Sequence, residues 1–158
     1  MLKMGVIGYG YWGPNIVRNF NGLDDCSVTC VCDKNPSTLK RVTSVYPTID
    51  VLTDCSEAVK SPDTDAIAVI TPVSTHFELA KQALEHGKHV FVEKPFTATK
   101  AEAEELVELA EKKGLTIMVD HTFLFTGAVR KIKEIAESGE LGKIYYYDST
   151  RVNLGLFQ

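Results

Sequence analysis

Short β-branched runs alternate along this chain with longer segments whose apolar residues recur at helical spacing. The runs Leu2–Ile7, Ser27–Asp33, Ala66–Ile70, His89–Val92 and Leu115–Val119, with a shorter one at Ile49–Leu52, read as strands bounded by turn-forming residues. Between and after them, Pro14–Phe20, Ser37–Val45, Thr75–Glu85, Lys100–Lys112 and Gly127–Glu137 read as helices. Pro14 suits a first helical turn, and Gly87 and Gly114 suit the left-handed stop after a helix. In the fourth helix Ala103, Leu106, Val107 and Ala110 supply the buried stripe, and the glutamates from Glu102 to Glu111 form a solvated face. Strand and helix in strict alternation predict a doubly wound α/β fold, a parallel sheet covered on both faces.

The last forty or so residues break this pattern. Ile144–Val152 reads as a further strand, yet Tyr145, Tyr147 and Ser149 alternate with Tyr146, Asp148 and Thr150, so neither face is an apolar core face. Two units are therefore expected: residues 1–120 forming the α/β domain, and residues 121–158 the start of an incomplete α+β domain for substrate binding or oligomerisation. An unpaired strand of that length is expected to join copies, giving a homo-oligomer.

Between the first strand and the first helix lies Gly8-Tyr9-Gly10-Tyr11-Trp12-Gly13, with Asp33 closing the second strand. The first glycine allows a tight turn, the second lets backbone approach a pyrophosphate, and the third lets helix and strand pack closely. Phosphates then sit at a helix N-terminus, where free N–H groups and the helix dipole favour negative charge. An acid about 20 residues beyond the last glycine completes the dinucleotide fingerprint of a Rossmann fold. Gly8, Gly10, Tyr11, Trp12, Gly13 and Asp33 are thus candidate cofactor-binding residues. Asp33 can accept from both ribose hydroxyls and repels a 2′-phosphate, which favours NAD. Its neighbour Lys34 reads either as a cation tolerant of that phosphate or as a solvated residue.

Composition narrows the partners. The net charge is −4, and Lys and Arg are scattered among acids, which argues against nucleic acid. No apolar segment approaches the ~20 residues that cross a bilayer, so no membrane partner and a cytoplasmic location are expected. Cys26, Cys30, Cys32 and Cys55 show no metal-ligand spacing and read as structural, with Cys30 and Cys32 on one side of a strand; no metal is expected.

Taken in order, the glycine run, Asp33, Thr71-Pro72 with His76, and Glu93-Lys94-Pro95 resemble the N-terminal half of the Gfo/Idh/MocA oxidoreductases. Gly8–Phe20 and Arg151–Gln158 are most similar to the bacterial branch that oxidises C3 of UDP-N-acetylglucosaminuronic acid. The resemblance implies an NAD-dependent enzyme that passes a hydride between a sugar ring carbon and nicotinamide, with a sugar or nucleotide-sugar substrate. It further implies that Lys94 contacts the hydroxyl being oxidised and is the catalytic residue within this stretch. Thr71, Pro72 and Glu93 would line the cofactor, with Glu93 alternatively a simple ion-pair partner of Lys94. His76 reads either as a contact to the nicotinamide ribose or as a polar residue of a helix's first turn. Arg151 and Asn153 are candidate substrate contacts, the arginine suited to a diphosphate or carboxylate.

The family's second domain also carries an Asp-x-x-x-His acid/base element, a spacing that does not occur in these 158 residues. The chain is therefore expected to bind cofactor but to be catalytically incomplete. Two other readings stay open: a stand-alone NAD-binding regulatory module without turnover, and another small-molecule reductase with a Rossmann half, such as a biliverdin-reductase-like enzyme.

Overall fold

The computed structural model describes residues 1–150 and Val152. Six parallel strands form one sheet: β1 (Leu2–Ile7), β2 (Cys26–Cys32), β3 (Asp50–Leu52), β4 (Ala66–Val69), β5 (His89–Val92) and β6 (Ile117–Val119). Their order across the sheet is β3-β2-β1-β4-β5-β6, the doubly wound arrangement in which strand order reverses between β1 and β4. β1 and β5 have the predicted bounds, and the other strands differ from prediction by a residue or two at an end.

Strand alternation sorts the core into two layers. Val6, Val31, Ala68 and Ile70 pack with Ile16 and Val17 of α1 (Gly13–Asn21) and with Leu39 and Val42 of α2 (Pro36–Val45). Ile7, Cys30, Cys32, Ile67, Val69 and Val92 pack on the other side. There they meet α3 (Cys55–Lys60), α4 (His76–Glu85) and α5 (Lys100–Lys113), led by Val59, Leu84 and Leu106. Because successive side chains on a strand point to opposite faces, neighbours such as Val6 and Ile7 serve different helices.

Local chemistry sets the helix ends. Asn35 and Asp54 accept from Ser37 N–H and Ser56 N–H at the starts of α2 and α3. Thr99 and Glu102 form a reciprocal capping box on α5. Gly114 ends α5 at φ +66°, a conformation only glycine adopts cheaply.

Three expectations are corrected. The six-residue α3 was not predicted; it is too short for periodicity to reveal, although Asp54 marks its start. In α5 the half-buried Leu109 takes the place assigned to Val107, which is exposed because it lies on the flank of the stripe. No strand forms over residues 144–150, where Tyr145, Tyr146 and Tyr147 are exposed. A strand is stabilised by a neighbour's hydrogen bonds, and the described residues offer this segment none. The edge expected to join copies is therefore not present there.

The chain divides into units Met1–Asp120 and His121–Gln158. In the second, a short 3-10 helix at Thr122–Phe125 precedes α6 (Gly127–Glu137), which has the predicted bounds and no buried residue. Among the described residues no helix is long and apolar enough to cross a membrane.

Leu84, near the end of α4, is fully buried, whereas Leu23 is half exposed. Leu84→Ala is expected to cost about 2–5 kcal/mol in urea unfolding, and Leu23→Ala to stay within about 0.5 kcal/mol.

Candidate functional site

The carboxyl ends of β1, β2 and β4 converge at the point where strand order reverses. There a cleft of about 530 Å³ opens, bordered by Gly8, Gly10, Asp33, Thr71 and Pro72 among the sequence-predicted residues. Open α/β sheets bind ligands at this place because the diverging helices leave a crevice beside exposed strand ends.

Backbone crowding explains two of the three glycines. Gly8 sits at φ +99°, and a Cβ there would lie 2.4 Å from the Ile70 carbonyl oxygen. A Cβ on Gly13 would lie 2.6 Å from the Gly8 carbonyl oxygen, so α1 presses on the loop before it. Gly10 is different: nothing lies within 4 Å of where its Cβ would be. Gly10 also borders the cleft, so a side chain there would be the chain's own first intrusion at that point of the wall. The first turn of α1 has no side-chain cap, unlike those of α2, α3 and α5, and no acid. Tyr11 and Trp12 are exposed and stack edge to face, 5.3 Å between centroids, outside the cleft lining.

Asp33 ties the site together. One carboxylate oxygen accepts from Tyr9 N–H and the other from Asn35 N–H, each at 2.8 Å. Each oxygen keeps acceptor capacity for a further donor in the cleft. Lys34 borders the same space. Across the cleft, Thr71 bonds through its hydroxyl to Thr75 at 2.7 Å, and Thr75 donates to the Pro72 carbonyl at 2.8 Å, fixing the turn after β4.

His76 is placed differently from the sequence reading. Its ring is buried, with Nε2 2.7 Å from the Thr71 carbonyl and Nδ1 2.9 Å from the Pro95 carbonyl. Both ring nitrogens are thus occupied by backbone, and the ring cross-ties the turns after β4 and β5 rather than lining the cleft.

Glu93 and Lys94 follow β5, and the Lys94–Pro95 bond is cis. Neither borders the cleft. The Lys94 ammonium is largely exposed and lies 3.7 Å from the Glu93 carboxylate, which is 8% exposed. A residue that sequence reading passed over joins them. Pairing of Val92 with Val119 sets Asp120 beside Glu93, and the two carboxyls interact by a hydrogen bond. Burial first, then the hydrogen bond to Asp120 and its charge, push the Glu93 carboxyl above the usual range, while Lys94 pulls it partly back. The only signal in sequence was an acid closing the last strand.

A second unforeseen contact lies in the cleft wall. Cys32 and Cys55, assigned to packing, bring their sulfurs to 3.2 Å, with the Cys32 thiol donating. That bond, with Lys34 adding its charge, pushes Cys55 down to about 7, although burial opposes it. Cys32 moves upward, through the same bond and through burial. Arg151 and Asn153 lie outside the described residues. No cluster of three metal-ligating side chains occurs among the described residues.

Residues 2–121 match the Gfo/Idh/MocA family, described as an oxidoreductase family with an NAD-binding Rossmann fold. Among curated relatives, the oxidoreductase YdgJ of Escherichia coli is 34% identical over 148 residues, covering 94% of this chain and 42% of that protein. The 2,7-anhydro-N-acetylneuraminate hydratase of Mediterraneibacter gnavus is 30% identical, covering 92% of this chain and 38% of its own length. The chain thus spans about two fifths of the length of such relatives. In fold it matches scyllo-inositol dehydrogenase from Lactobacillus casei, solved with NAD(H) and scyllo-inositol, at a TM-score of 0.83 and 23% identity over 90% of this chain and 42% of that one.

The raised Glu93 sets a pH dependence. An unfolded glutamate releases its proton near about pH 4.3, whereas folded Glu93 holds it to higher pH. The folded chain then binds more protons, so stability is lost as pH climbs from that value through the folded one. Glu93→Gln is expected to unfold at higher urea than the parent at neutral pH, with the difference vanishing below about pH 4.

Proposed function

The chain belongs to the Gfo/Idh/MocA oxidoreductase family, and from that premise we propose that its first unit holds NAD in the cleft at the β1/β4 switch point for hydride exchange with a sugar ring carbon. The observation carrying this reading is the bare, uncrowded position at Gly10, in front of an uncapped helix and opposite a pinned carboxylate. These residues fit the group. Gly10 and the start of α1 would receive the pyrophosphate on backbone N–H groups. Asp33, held by Tyr9 and Asn35, would accept from the adenosine ribose, and its charge disfavours a 2′-phosphate, hence NAD over NADP. Thr71 and Pro72 form the opposite wall. Bound there, NAD supplies a hydride acceptor.

At the other strand end, Lys94 would donate a hydrogen bond to the substrate hydroxyl, and Glu93 keeps its ammonium at the sheet edge. Asp120 stands beside Glu93, so Lys94 faces a carboxyl whose ionised form burial and Asp120 disfavour. The substrate class rests on sequence resemblance, which favours a UDP-linked aminosugar acid. The hydratase relative, whose name specifies a sugar derivative, supports a polyhydroxylated ring more broadly. Arg151 and Asn153 are proposed as contacts to it.

The test is calorimetric titration with NAD and NADP alongside thermal unfolding. NAD is expected to bind in preference to NADP, and Asp33→Ala to weaken NAD by about tenfold or more, the scale of a lost hydrogen bond to a charged group. Gly10→Ala is expected to unfold at the parent temperature yet lose NAD binding, because its methyl meets nothing in the chain. Gly8→Ala is expected to unfold earlier, by about 1 kcal/mol or more. A Gly10→Ala variant that binds NAD like the parent overturns the placement of the pyrophosphate.

A further inference from the structure

The thiol pair in the cleft wall has no part in the proposed hydride chemistry. Cys32 closes β2, and Cys55 opens α3, 23 positions further along the chain. Both residues contribute to the cleft wall, next to Asp33 and Lys34. Cys55 is half-buried and reached from the cleft, whereas Cys32 is fully buried behind it. Cys26 and Cys30 are buried and do not border the cleft. One accessible sulfur is thereby backed by one protected sulfur, the arrangement of an attacking and a resolving cysteine. The hydrogen bond from Cys32 and the nearby Lys34 charge keep a substantial fraction of Cys55 as thiolate near neutral pH, and the thiolate is the reactive form.

We infer that Cys32 and Cys55 are an oxidisable dithiol, converted by a hydroperoxide into a disulfide in the wall of the cleft. In the first step the Cys55 thiolate attacks one oxygen of hydrogen peroxide. An S–O bond forms, the O–O bond breaks, and the departing hydroxide takes a proton to become water. The sulfur has lost two electrons to the peroxide and stands as a sulfenic acid. Cys32 then gives up its proton and attacks that sulfur; the S–S bond forms, the S–O bond breaks, and a second water leaves. Two thiols and one peroxide yield one disulfide and two waters. The sulfurs start 3.2 Å apart, and a disulfide bond measures about 2.05 Å, so the end of β2 and the start of α3 must close by only about 1 Å. That closure acts one residue from Asp33. Its consequence for the cofactor rests on the reading of the cleft given above: oxidation displaces the carboxylate and weakens NAD.

The experiment treats the dinucleotide-free 158-residue chain with hydrogen peroxide, alkylates remaining thiols, and maps the peptides by mass spectrometry. An intramolecular Cys32–Cys55 peptide that dithiothreitol reverses is expected. Cys32→Ser is expected to leave Cys55 as a sulfenic acid trapped by dimedone, and Cys55→Ser to leave Cys32 unmodified until the chain is unfolded. Over-oxidation of Cys55 with Cys32 intact overturns the inference, as do cross-links through Cys26 or Cys30, or thiols that survive peroxide untouched. Titration of the reduced and disulfide forms with NAD follows, with about tenfold weaker binding by the disulfide form expected. Equal affinity overturns the effect on the cofactor. Failure of both forms to bind NAD overturns the cofactor reading and leaves the mapped disulfide standing.

Discussion

Three backbone segments meet at the carboxyl end of β1 with no room for a side chain between them. The loop after β1 rests on the Ile70 carbonyl at Gly8, and the start of α1 rests on that loop at Gly13. A Cβ at either place would overlap a carbonyl oxygen, so the sheet, the loop and the helix can close on one another only through glycine. The positions of the cleft's two walls follow from this contact. It brings α1's first turn to the switch point, and it sets Tyr9 where its N–H meets Asp33.

Asp33 then links the first two strand ends. Its two oxygens hold the β1 loop on one side and the turn into α2 on the other. A carboxylate used in this way is oriented before any ligand arrives, so little side-chain freedom remains to be lost on binding. The carboxylates beyond β5 and β6 work on another principle. Glu93 is buried against Asp120 at the cost of its ionised form, and Lys94 offsets part of that cost from the solvent side.

What the sequence disclosed and what it withheld divide along physical lines. The strands β1 and β5 and the helix α6 were legible to the residue because each carries its own periodicity and its own boundary residues. The glycine turn and Asp33 were legible because their spacing is fixed by one βαβ unit. Residues 144–150 show the limit of local preference: tyrosine and isoleucine favour strands, but a strand also needs a neighbour. Contacts between elements were not legible. Cys32 meets Cys55 only because α3, itself too short to detect, begins against the end of β2. Asp120 meets Glu93 only through the pairing of β5 with β6. His76 reads as a polar residue of a helix's first turn or a ribose contact, yet the fold turns its ring inward between two carbonyls.

That inward ring has an arithmetic of its own. Both neighbours of the His76 ring are carbonyl oxygens, to which only a ring N–H can donate. A proton on Nε2 ties the ring to Thr71, and one on Nδ1 ties it to Pro95. One buried ring therefore stands between the loop that borders the cleft and the loop that carries Lys94. Loss of that ring would release both loops at once, although Lys94 and Pro95 do not border the cleft.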